Sequence, residues 1–108
     1  MCVGGKGVVS VASNIVPKQM LKLVELFDSG NIIEAINLNK SLYPLFKALF
    51  IDTNPIPLKF FSYKLGLSSE DSVRLPLVKS SNSEVIENLN KIYNSYLLNE
   101  NNISNLSP

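Results

Sequence analysis

One β-branched run, Val8-Val9-Ser10-Val11, entered through Gly4-Gly5-Lys6-Gly7, constrains this chain more than any other feature, because it reads as a strand and no second run does. A lone strand leaves both rows of backbone donors and acceptors unpaired. Being apolar on both faces, it fits the interior of a parallel sheet covered by helices. The one competitor, Val73 to Val78, carries Pro76 in its middle and reads as an extended connection. The strand's partners are therefore expected outside these 108 residues, and the chain reads as incomplete.

Beyond the strand the pattern is helical. Ser13 or Asn14 is placed to cap a helix running to about Ser29, with Pro17 in its first turn and an apolar stripe of Met20, Leu23, Val24 and Phe27. Gly30 is the stop signal. Residues 1–30 thus form one βα unit of the kind that repeats in parallel α/β folds. Asn31 caps a second helix with apolar positions from Ile32 to Phe50, and Pro44 predicts a kink near residues 39–43 or two helices end to end. After the breaker Asp52 to Pro57, a short helix starts at Pro57 and ends at Gly66. Residues 67–80 read as loop. Ser81 with Glu84 matches a capping box, and Val85, Ile86, Leu89, Ile92, Tyr93 and Tyr96 line one side of a last helix. The expected organisation is a βα unit over 1–30, a helical region over 31–98 and a frayed polar tail over 99–108.

Composition narrows the function. Ten Lys or Arg stand against nine Asp or Glu, so the basic excess that drives nucleic-acid and anionic-membrane binding is missing. The absence of His excludes Ser-His-Asp and Cys-His nucleophilic sites and His-ligated metals within these residues. A single Cys, Cys2, excludes an internal disulfide and fits a reducing cytoplasm. No apolar stretch approaches the roughly 18 to 20 residues of a membrane span, and the N-terminus lacks the pattern of a secretory signal, so a soluble protein is expected. Yet 45% of the residues are hydrophobic and the mean hydropathy is +0.15, more apolar surface than so short a chain can easily cover.

Local chemistry is sparse. The glycines precede the strand, whereas phosphate loops come after one, so Gly4 to Gly7 read as a turn. Lys6 lies at the N-terminal end of its strand, opposite the end where parallel barrels place their chemistry. Ser13 and Asn14 are at the functional end but are explained as a helix cap, with substrate contact as the alternative. Tyr43 and Tyr63 have no neighbouring base and read as packing residues with a polar tip. Cys2 reads as inert.

The succession Gly4-Gly5-Lys6-Gly7-Val8-Val9-Ser10-Val11-Ala12-Ser13-Asn14, Leu42-Tyr43-Pro44-Leu45-Phe46, Asn54-Pro55-Ile56-Pro57-Leu58-Lys59 and Val73-Arg74-Leu75-Pro76-Leu77 resembles the C-terminal third of the dihydrodipicolinate synthase (4-hydroxy-tetrahydrodipicolinate synthase) family. The likeness covers roughly residues 3 to 98. It implies a (β/α)8 TIM barrel, of which this chain is the last βα unit, followed by a C-terminal helical domain, so mostly α with one strand, usually in a homotetramer. It further implies a lyase of lysine and diaminopimelate biosynthesis that condenses pyruvate with aspartate semialdehyde, pyruvate being held as a Schiff base on a lysine of the sixth strand. A tyrosine of the fifth strand and a threonine-containing loop near the second assist. The only strand here resembles the eighth, so neither Lys6, Lys59 nor any other lysine matches the nucleophile, and no catalytic residue, cofactor or metal site is expected in this chain. One position carries over: Val9, whose backbone carbonyl would face the Schiff-base lysine, and where the family more often has Ile.

The expectation is a C-terminal fragment, cytoplasmic and inactive alone. The alternatives are a non-catalytic interaction module or split-enzyme subunit that joins a complementary N-terminal barrel fragment, a piece of another pyruvate-dependent aldolase such as N-acetylneuraminate lyase, or an unrelated helical binding domain. The last requires Val8 to Val11 to be helical or disordered.

Overall fold

The computed structural model describes residues 1–97, so the expected tail over 99–108 lies outside the described residues, as does residue 98. Four α-helices succeed one another: α1 Pro17–Asp28, α2 Ile32–Ala48, α3 Ile56–Lys64 and α4 Ser83–Ile92. A 3-10 turn, Val11–Asn14, precedes α1, and a π-helical turn, Tyr93–Leu97, extends α4. Among the described residues no strand is formed, so the run Val8 to Val11 departs from expectation. No segment among the described residues pairs with it. Residues 5–9 make no backbone hydrogen bond within the described chain, and Val11 is drawn into the 3-10 turn. Residues 73–78 likewise form no strand.

Pro17 occupies the first position of α1, where its missing N–H costs nothing. The proline also bars its predecessor from helical geometry, and Val16 sits at φ −129°, ψ 58° with no side-chain cap. The cap expected from Ser13 or Asn14 is therefore not made. Ser10 instead caps the 3-10 turn, its Oγ accepting from the Ala12 N–H at 3.2 Å, while the Asn14 amide donates to the Val11 carbonyl at 3.0 Å. At the other end of α1, Gly30 takes φ +80°, and the N–H groups of Gly30 and Asn31 donate to Phe27 and Leu26 carbonyls. That is a Schellman stop. α3 ends the same way at Gly66, φ +72°, with Gly66 and Leu67 donating to Tyr63 and Ser62.

Of the two outcomes expected at Pro44, two helices end to end is not the one found, because α2 runs unbroken through the proline. Leu42, Leu45, Ala48 and Leu49 are buried on both sides of the proline, so packing holds the two halves in one helix. Lys40, whose carbonyl Pro44 leaves without a donor, is exposed to water. Asn31 precedes α2 without a side-chain cap; its amide donates to Ser29 Oγ at 3.1 Å.

The capping box at Ser81 and Glu84 is displaced by one residue. Asn82 caps α4, its Oδ1 accepting from the N–H of Glu84 at 3.0 Å and of Val85 at 3.4 Å. An Asn82→Ala change is accordingly expected to cost about 1 kcal/mol, whereas Ser81→Ala stays near neutral. Urea unfolding monitored by helical circular dichroism separates the two.

The core gathers Ile15, Val16, Leu42, Leu45, Leu49, Phe61, Leu89 and Leu97, all with 2% exposure or less. α1 packs on α2, α2 on α4, and α3 on both α4 and the 3-10 turn. In α1 the enclosed residues are Met20 and Leu26, with Leu23, Val24 and Phe27 only half-buried. Tyr93 ties the bundle at its edge by donating from its hydroxyl to the Lys64 carbonyl at 2.9 Å, which joins the end of α4 to the end of α3.

Candidate functional site

The 3-10 turn sets the position of everything that precedes it. Ala12, Ile15 and Val16 are locked in the core, with at most 1% exposure, while residues 2–9 are exposed. The β-branched run therefore projects from a fixed root into solvent. Ser10 already has strand geometry, φ −144°, ψ 138°. Val9 is fully exposed, and its backbone makes no hydrogen bond among the described residues. An apolar, unpaired segment on a buried base can serve as a strand for a sheet edge.

The residues singled out from sequence are not brought together. Lys6 and Lys59 are exposed, as are the other seven lysines. Tyr43 and Tyr63 lie exposed on α2 and α3, so the packing role expected of them is not played within these residues. Ser13 is half-buried and Asn14 exposed beside the root. Cys2 is a free, exposed thiol. Among the described residues no cluster of His, Cys, Asp or Glu could hold a metal ion, and no helix is long and apolar enough to cross a membrane.

A cleft of about 470 Å³ lies elsewhere, between the turn after α2 and the loop that enters α4. Its carboxylate is Asp52. Hydrogen bonds from the Ser80 side chain and the Thr53 N–H hold this carboxyl below its ordinary 3.8. Asp71 is lowered in the same way by Lys79, which is raised in turn. The Asp52–Ser80 bond ties the end of the 67–80 loop to the turn after α2, and the Asp71–Lys79 pair closes the loop on itself, so these polar groups are occupied in holding chain segments together. Depressed carboxylates contribute stability that is present above 3.8 and lost as pH falls through their lower folded values. Acid titration should therefore loosen the loop below the ordinary carboxylate range. Asp52→Asn with Asp71→Asn should flatten that part of the profile, as read by amide exchange in residues 67–80.

The class this arrangement defines is a helical bundle preceded by an exposed β-branched run that pairs with nothing among the described residues. The family profile described as the Dihydrodipicolinate synthetase family matches residues 1–94, and the chain belongs to that family. The 4-hydroxy-tetrahydrodipicolinate synthase of Thermotoga neapolitana is 49% identical over 85 residues, which cover 79% of this chain and 29% of the relative. That of Thermosipho melanesiensis is 49% identical over 89 residues, covering 82% and 30%. The crystal structure of dihydrodipicolinate synthase from Thermotoga maritima superposes with a TM-score of 0.79 at 42% identity, over 86% of this chain and 31% of that one. The enzyme from Aquifex aeolicus gives 0.82 at 38% identity, over 89% and 32%. The chain thus spans under a third of the length of these relatives. An unrelated helical binding domain is excluded by this membership, even though the run Val8 to Val11 forms no strand.

Proposed function

We propose that the chain is the C-terminal part of a dihydrodipicolinate synthase-like lyase, supplying the eighth strand of a (β/α)8 barrel and the helical domain behind it, with no condensation activity of its own. The supporting observation is the exposed run Gly7 to Val9 rooted in a closed helical core, in a chain that matches less than a third of its relatives. Residues 1–30 then complete the barrel and 31–98 form the helical domain. The shared name of the 49% identical relatives favours pyruvate and aspartate semialdehyde as substrates of the completed enzyme over those of N-acetylneuraminate lyase. Val9 would lend its backbone carbonyl to the Schiff-base lysine of the sixth strand. The exposed Ile33 and Tyr43 of α2 leave apolar surface for the homotetramer that the family resemblance implies. A free thiol at Cys2 suits the cytoplasm.

Co-expression tests the reading. The partner is the barrel portion of the Thermotoga maritima enzyme, without its last strand and helical region. A stable complex that condenses pyruvate with aspartate semialdehyde is the expected result. Turnover by the chain alone would overturn the proposal, and failure to form any complex would remove the role of the exposed run.

A further inference from the structure

We draw no further inference here: the strongest candidate, the exposed apolar run Val8-Val9 projecting from the 3-10 turn, carries nothing more because nothing in the structure shows what covers it beyond the barrel strands already invoked in the proposed function.

Discussion

Treated with pyruvate and borohydride, the chain alone is expected to acquire no adduct at any single lysine, whereas the complex with a barrel partner should be trapped stoichiometrically on the partner's lysine. A Schiff-base lysine must present a neutral amine, which proteins arrange by desolvating it or by setting another cation beside it. None of the nine lysines is buried. All are exposed, and Lys79 is moved the wrong way, since its pairing with Asp71 favours the protonated form. Peptide mapping by mass spectrometry reads the result. Trace modification scattered over several lysines agrees with the proposal, and specific trapping at one of them contradicts it. The same complex tests Val9. Val9→Ile keeps the carbonyl and the β-branched surface, so activity should be retained. Val9→Pro deletes an N–H from a central strand and leaves a buried carbonyl unpaired, a loss of about 1 to 3 kcal/mol that should abolish complementation.

The helices were largely legible because their signals are local. Gly30 and Gly66 announce the stops that the structure makes with positive φ, and Pro17 announces the start of α1. Caps were less legible, since competing side chains stand side by side. Asn82 wins over Ser81 at α4, and Ser10 caps a 3-10 turn because Pro17 prevents α1 from reaching back to Ser13. Pro44 alone does not say whether the helix breaks: its penalty is local, but the burial of Leu42 on one side and Leu45, Ala48 and Leu49 on the other is a tertiary effect. The Tyr93 hydroxyl bond to Lys64, across 29 residues, has no sequence signal at all. For the candidate site, sequence pattern marked Val8 to Val11 as β-prone but could not make it a strand. Strand formation depends on a neighbour's backbone, so the free chain shows only the extended geometry of Ser10.

Truncating Phe61 should have the largest effect on the free chain. Its ring is fully enclosed, lies edge-on to Phe60 at 5.5 Å and 81°, and belongs to the cluster that holds Leu42, Leu45, Leu49 and Leu89. α3 is nine residues long and fully encloses only Phe61 and Pro57, with Leu58 and Phe60 half-buried against the core, so Phe61 is its main apolar anchor. Phe61→Ala is expected to remove about 3 to 5 kcal/mol through lost transfer energy and the cavity left behind. Against a net stability of about 5 to 15 kcal/mol for a domain, that is between about a fifth and all of it. Ile33→Ala, at a position 72% exposed on α2, should stay within about 0.5 kcal/mol of the parent. Urea unfolding of both variants decides the point, and equal midpoints would contradict the placement of Phe61 at the centre of the core. The expected consequence reaches the barrel partner as well. Ala12 and Ile15, which root the β-branched run, belong to the same cluster as Phe61, so a loosened core should release the root and weaken complementation without any change in residues 7–10.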